Sequence, residues 1–394
     1  MSKRLLSTVV ALVLVMGLAP VAALAAPVEP ASVAVTLKPG ESTTVNKQVT
    51  APEIPAIPDI YMLADTTGSM GVSVAAAQAG AAAILTDILA IDPDAQFGAG
   101  DYKDFPYDPY CFRHQQAITA DTALVSSAVS AWSASGGSDG PEGQFYALYK
   151  IATDPAIGWR SGTNRIVVWF GDAPGHDPIP AEASPDLTED ITEASLVAAL
   201  KAARITVVAV SVTSGYPLGL DDDPLMWGGD YESFYTDYVA AGTAGQATRI
   251  AAATGGLALA DVEPGDLVDA ILAGLTDLPT DITATVVADP GLTVTFEPAS
   301  RTGVAPGTVV DFVETISVAS DAETVTVLNA TVTFWAGTAP IGEQQIAVTV
   351  PAVAPGLPKT GIGPERTFPW QAALLVSFAL GLAWTARRRN AATS

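Results

Sequence analysis

Residues 58–70 read PDIYMLADTTGSM. The strand-like run over 59–64, apolar from Ile60 onward, stops on Asp65, and Thr67, Gly68 and Ser69 follow at once. A short apolar run bounded by turn residues predicts a buried strand. Asp, Thr, Gly and Ser all favour turns, so by itself the stretch is a strand that closes in a turn. Yet Asp65, Thr67 and Ser69 place three oxygen-bearing side chains at alternate positions, and hard divalent cations take oxygen ligands. The rest of the chain has to separate a turn from a metal loop.

Working outward, the pattern predicts helices over 73–91, 119–134, 144–153, 193–203, 245–254 and 267–275. Between them lie strands over 95–101, 165–170 (RIVVWF), 205–212 (ITVVAVSV) and 257–260. Buried strands alternating with helices indicate an α/β domain over 59–278, a doubly wound, mostly parallel sheet covered on both faces. In such sheets ligands gather beyond the carboxyl ends of the strands. Asp65 sits at one such end, and Asp172, closing RIVVWFGD, at another. After Pro279 the texture changes to Val/Thr-rich alternating runs (280–288, 292–296, 308–318, 323–335, 343–350), which predict an antiparallel β-sandwich over 279–351. Residues 26–58 carry two runs of the same texture, 32–37 and 42–50, and then a Pro-rich linker. They are expected to pair with the sandwich, which makes the α/β domain an insertion into it.

The 394 residues include 42 acidic and 18 basic side chains, a formal net charge of −24. That balance excludes nucleic acid and anionic membrane surfaces as natural partners. Residues 1–25 have a basic start, an apolar stretch and Ala23-Leu24-Ala25, the layout of a secretory signal peptide and its N-terminal helix. A stalk (352–356) leads to Leu357-Pro358-Lys359-Thr360-Gly361. Residues 362–394 follow, with an apolar stretch over 368–386 that can span a bilayer as a helix and three arginines, 387–389, on its cytoplasmic side. The order resembles the LPxTG sorting signal of Gram-positive surface proteins. By that resemblance the chain spans the membrane briefly, and a sortase cuts between Thr360 and Gly361. Thr360 is then joined to cell-wall peptidoglycan, leaving a secreted, wall-anchored protein. The single cysteine, Cys111, allows no intramolecular disulfide and is read as a small buried apolar residue.

Asp65-x-Thr67-x-Ser69 resembles the metal-ion-dependent adhesion site of von Willebrand factor type A domains, whose pattern is Asp-x-Ser-x-Ser. Residues 138–148 (SDGPEGQFYAL), 167–177 (VVWFGDAPGHD) and 97–106 (FGAGDYKDFP) extend the likeness to integrin β subunits, in the same order along the chain. The resemblance implies Mg²⁺ or Mn²⁺ held directly by Thr67, Ser69 and Glu142. Asp65 and Asp172 would orient waters and hydroxyls, and an open position would accept an acidic side chain from a protein ligand. It also implies a second site, for Ca²⁺, from Asp104, Asp139 and the backbone at Pro141, although Gly137 stands where an asparagine ligand is expected. A third site needs acids where Gly71, Val72 and Ser73 stand, so none is expected. The acidic, aromatic loop around Asp221, Asp222, Asp223, Trp227, Asp230, Tyr231 and Glu232 falls near the same face.

Function follows as a wall-anchored adhesion protein rather than an enzyme. A structural role at a pilus tip or in envelope assembly would use the same domain. A metal-dependent hydrolase is the third reading. Against it, Thr67 stands where dehalogenase-type phosphatases need a second Asp, the nucleophile-elbow and zinc motifs are missing, and the chain has only two histidines, His114 and His176.

Overall fold

The computed structural model describes residues 26–214, 218–226, 231–236 and 238–352. The signal peptide, the sorting motif, the apolar tail and most of the stalk lie outside them, as do Trp227 and Asp230. Residues 26–351 belong to one compact unit.

In chain order the strands are β1 (Val28–Glu29), β2 (Ser32–Thr36), β3 (Ser42–Thr50), β4 (Pro58–Asp65), β5 (Gln96–Tyr102), β6 (Phe112–Thr119), β7 (Asn164–Gly171), β8 (Ile205–Val212) and β9 (Leu257–Val262). After them come β10 (Thr280–Ala288), β11 (Leu292–Glu297), β12 (Ser300–Val304), β13 (Val309–Val318), β14 (Thr326–Ala336) and β15 (Ala339–Val350). The helices are α1 (Gly71–Ile91), α2 (Thr122–Ser130), α3 (Gln144–Thr153), α4 (Glu193–Ala202), α5 (Tyr231–Phe234), α6 (Gln246–Ala253) and α7 (Leu267–Thr276).

One sheet has the order β6-β5-β4-β7-β8-β9. Every pair is parallel except β5 with β6. β4 is central and all eight of its residues are buried, which is why residues 60–64 between its two aspartates are apolar without alternation. Its outward side chains are divided between two cores. Ile60, Met62 and Ala64 face α1, α2 and α7, while Tyr61 and Leu63 face α3, α4 and α6. α1 is long and apolar enough to cross a bilayer, but Val74, Ala77, Ala81, Ile84, Leu85 and Ile88 are buried in the first of these cores. Gly80 sits inside α1 because a Cβ there would lie 2.2 Å from Val268 Cγ2 of α7.

The remaining strands form two sheets, β1-β3-β13-β11 and β12-β10-β14-β15-β2, which share a third core. β3 pairs antiparallel with β13 over nine positions, and β2 pairs parallel with β15. Strands from before the α/β domain are therefore woven with strands from after it. The two parts also touch through Asn164 at the start of β7. Its Nδ2 donates to the carbonyls of Ala56 (2.8 Å) and Ala336 (3.1 Å), and its Oδ1 accepts from Thr338 N (3.0 Å).

Two local readings differ from the sequence. Residues 112–119 (FRHQQAIT) form an edge strand, β6, with every residue half-buried. Its mixed polarity gives no strand period. Thr119 belongs to that strand, so the helix expected over 119–134 begins only at Thr122, where the Asp121 side chain caps the amide of Ala123.

Candidate metal centre

The carboxyl ends of β4 and β7 and the segment before α3 converge on one cavity, lined among others by Ser69, Gly137, Asp139, Glu142 and Asp172. The loop after β4 turns back on itself. Asp65 Oδ1 accepts from Thr67 N at 2.8 Å and Thr67 Oγ1 at 2.7 Å. Ser69 Oγ donates to Asp172 Oδ1 at 3.0 Å. Both hydroxyls therefore spend their proton on a carboxylate, which leaves oxygen lone pairs free to serve as cation ligands.

Glu142 arrives from elsewhere. Its amide donates to Pro174 O (2.9 Å), its carbonyl accepts from His176 N (3.0 Å), and it pairs as a single bridge with Gly175. That places its side chain against the loop after β4. Gly137 has φ +71°, and a Cβ there would lie 2.8 Å from Glu142 Oε1 and 3.0 Å from Thr67 Cβ. A residue bearing a side chain at this position would push into the site, which accounts for glycine where asparagine was expected.

Asp65, Glu142 and Asp172 are buried, and Asp65 Oδ2, Glu142 Oε2 and Asp172 Oδ2 have no hydrogen-bond partner among the described residues. Burial and then the Asp172 charge push the Asp65 carboxyl up to about 7. Burial, then Asp65 and Asp104, hold Glu142 well above the usual carboxylate range, and burial raises Asp172. Buried carboxylates need a proton or a compensating positive charge. Their orphaned oxygens, with the hydroxyls of Thr67 and Ser69, form an oxygen-only donor set that fits a hard divalent ion such as Mg²⁺.

A second cluster adjoins the first. Asp104 Oδ2 and Asp139 Oδ1 each lie 3.5 Å from His176 Nε2. The three side chains are close enough together to hold one ion, and Pro141 is buried in the bend between Asp139 and Glu142. The His176 ring stacks on Tyr231 at 3.5 Å, and Tyr231 Oη donates to Asp104 Oδ1 at 3.1 Å. Burial alone would lower the imidazole, but Asp104 and Asp139 outweigh it and hold it at about 9. In the sequence His176 was only a lone histidine beside a metal loop; nothing there tied it to Asp104, 72 positions earlier in the numbering.

Sequence reasoning also missed Lys103. Its buried ammonium donates to the carbonyls of Thr66, Ser133 and Ser135 and clips the loop after β4 to the segment that leads to Gly137. Asp101, at the end of β5, accepts from Thr66 Oγ1 (2.8 Å), Tyr110 Oη (2.6 Å) and both Arg113 Nε (2.9 Å) and Nη2 (3.0 Å). Cys111 is buried and free, and burial pushes its thiol well above the usual range. Gly71, Val72 and Ser73 form the first turn of α1. The acids of the 218–226 segment do not converge. Asp221 accepts from Thr248, Asp222 from the Gly219 amide and Asp223 from the Leu225 amide. At the rim Tyr107 and Phe234, both about half exposed, meet edge to face at 4.9 Å.

Residues 27–213 match the family described as "Integrin beta-like protein A-E, vWA-like". A stretch of 70 residues, 18% of the chain, is 37% identical to integrin beta pat-3 of Caenorhabditis elegans and spans 9% of that protein. The von Willebrand factor type A structure from Catenulispora acidiphila is similar with a TM-score of 0.39 and 14% identity, over 82% of this chain and 72% of that one. The segment matched to the family holds β4, Glu142 and Asp172. The chain carries a von Willebrand factor A-like domain.

Proposed function

We propose that this chain is a surface-displayed adhesion protein that holds Mg²⁺ or Mn²⁺ at the loop after β4 and uses it to capture an acidic side chain of a protein ligand. The observation that carries the reading is the group of buried, unpartnered oxygens on Asp65, Glu142 and Asp172 beside a cavity open to solvent. Thr67, Ser69 and Glu142 would contact the ion. Asp65 and Asp172 would hold the two hydroxyls in place, as their hydrogen bonds already do. A bound ion with few direct protein charges stays electrophilic and attracts a further carboxylate. Around it, the exposed rings of Tyr107 and Phe234 suit a protein interface, where aromatic side chains are enriched.

Attachment to a Gram-positive cell wall through Leu357–Gly361, and Ca²⁺ at Asp104, Asp139 and Pro141, belong to the same proposal and rest on the sequence resemblance. Titration of the metal-free protein with Mg²⁺ by calorimetry, followed by pull-down on host-matrix and bacterial-surface fractions with and without EDTA, tests it. Saturable Mg²⁺ binding and EDTA-sensitive capture are expected. Absence of Mg²⁺ binding, or binding unchanged in both Asp65→Ala and Glu142→Ala, would end the reading.

A further inference from the structure

The cluster of Asp104, Asp139 and His176 raises the question of which ion its donor atoms fit. The likeness to integrin β subunits supplies Ca²⁺, which takes about six to eight oxygen ligands. Two features of this chain work against that ion. Gly137 stands where the resemblance expects an asparagine oxygen, and a Cβ there would lie 2.8 Å from Glu142 Oε1. In addition, a nitrogen faces the two carboxylates: His176 Nε2 lies 3.5 Å from Asp104 Oδ2 and 3.5 Å from Asp139 Oδ1.

The imidazole is built into this place. Its side chain is 1% exposed, and among the described residues neither its Nε2 nor Asp104 Oδ2 has a hydrogen-bond partner. His176 N donates to Glu142 O and so fixes the backbone. Tyr231 stacks on the ring and gives its hydroxyl hydrogen to Asp104 Oδ1. One residue therefore holds both the ring plane and the carboxylate, and leaves Oδ2 beside Nε2. Groups that orient ligands in this way are the usual support of a metal site. Asp139 also lines the cavity of the first centre, which gives an ion a way in. In a tetrahedral site with bonds of about 2.1 Å the ligand atoms stand about 3.4 Å apart, so the observed spacings need little adjustment, and all three donor atoms lie within 4.8 Å of one another. An imidazole nitrogen with two carboxylate oxygens suits Zn²⁺ and its transition-metal neighbours better than Ca²⁺ or Mg²⁺.

We propose that Asp104, Asp139 and His176 hold a transition-metal dication, Zn²⁺ first among them, in place of Ca²⁺. The proposal keeps the second ion of the functional reading and changes its chemical class. The ion takes over the positive charge that an imidazolium would otherwise set between the two carboxylates. Its ligands are distinct from Thr67, Ser69 and Glu142, so either site can be removed while the ligands of the other stay in place.

Zn²⁺ titration of the metal-free full chain, with Mg²⁺ held in excess to fill the first centre, tests the proposal. One Zn²⁺ per chain is expected to bind, and Ca²⁺ at equal concentration is expected not to displace it. His176→Gln keeps a polar side chain but removes the nitrogen ligand. It is expected to lose more Zn²⁺ affinity than the roughly 100-fold that a ligand-orienting group is worth. Asp65→Ala is expected to keep Zn²⁺ binding and lose Mg²⁺ binding. Co²⁺ in place of Zn²⁺ gives a readout in the unaltered chain that does not depend on any variant folding: the intense visible absorption of a tetrahedral ion is expected. Failure of Zn²⁺ to bind leaves only an ion-paired imidazolium and overturns the proposal. So do displacement by equimolar Ca²⁺, unchanged Zn²⁺ affinity in folded His176→Gln, and a weak octahedral Co²⁺ spectrum. Failure of Mg²⁺ binding with Zn²⁺ binding intact overturns the reading of the first centre and supports this one.

Discussion

Ser69, on the loop after β4, donates its hydroxyl to Asp172 Oδ1, 3.0 Å away at the end of β7, so one hydrogen bond joins the ends of two neighbouring parallel strands at the metal centre. Asp172 thereby fixes the direction in which the Ser69 lone pairs point. Asp172→Asn keeps the shape but removes the charge and exchanges one acceptor oxygen for a donor. It is expected to weaken Mg²⁺ binding about 10–100-fold, the range for groups that orient a ligand. Calorimetric titration checks this; an unchanged affinity would remove Asp172 from the centre.

The carboxylates of the centre make stability depend on pH in a direction that can be worked out. Burial, then Asp172, raise Asp65 from 3.8 to about 7. Between those values the metal-free folded state holds a proton that the unfolded chain has released. Its contribution is complete below the lower value and is lost as pH rises through the upper one. A bound divalent cation takes the proton's place. The rise in Tm on adding Mg²⁺ is therefore expected to be larger at about pH 8 than at about pH 5. Thermal unfolding with Mg²⁺ and with EDTA measures it, and an equal or reversed difference contradicts the prediction.

Lys103 holds three backbone carbonyls from two segments. Lys103→Met fills much of the same space but leaves those buried acceptors without a donor, at about 1–3 kcal/mol for each group so exposed. Loss of at least that much stability in denaturant unfolding is expected, together with weaker Mg²⁺ binding, because the loop after β4 loses its clip to residues 133–135. Stability equal to that of the unaltered chain would show that the carbonyls find other donors.

Asn164 joins the α/β domain to the β module through Ala56, Ala336 and Thr338. Asn164→Ala should lower stability by about 1–3 kcal/mol. It is also expected to separate the calorimetric unfolding into two transitions, because Asn164 is a shared partner of both parts. A single transition at an unchanged Tm would place the coupling elsewhere.

The α/β architecture was legible because β4, β7 and β8 are buried on both faces and so read as continuous apolar runs. The ends of two of them carry Asp65 and Asp172. Glu142 was legible only through its likeness to a known loop, since no period marks an irregular segment. β6 was not legible: an antiparallel edge strand with half-buried residues tolerates Arg113, His114, Gln115 and Gln116. Lys103 and His176 were hidden for another reason. Each is defined by partners 30 to 72 positions away, backbone carbonyls for Lys103 and Asp104 and Asp139 for His176, and a backbone carbonyl leaves no mark in a sequence.

The metal loop and the contact at Asn164 lie at opposite ends of the same pair of strands. Pro58 and Asn164 are partners at the start of β4 and β7, and the loop with Asp65 begins where β4 ends, about 25 Å further on for eight extended residues. A ligand pulling on the loop while the β module is held back would load β4 along its own length. The hydrogen bonds to β5 and β7 would then be strained together in shear rather than opened one after another. A central strand stressed lengthwise gives way only when the whole ladder slips, so the place of the metal loop in the sheet makes it a grip suited to bearing tension.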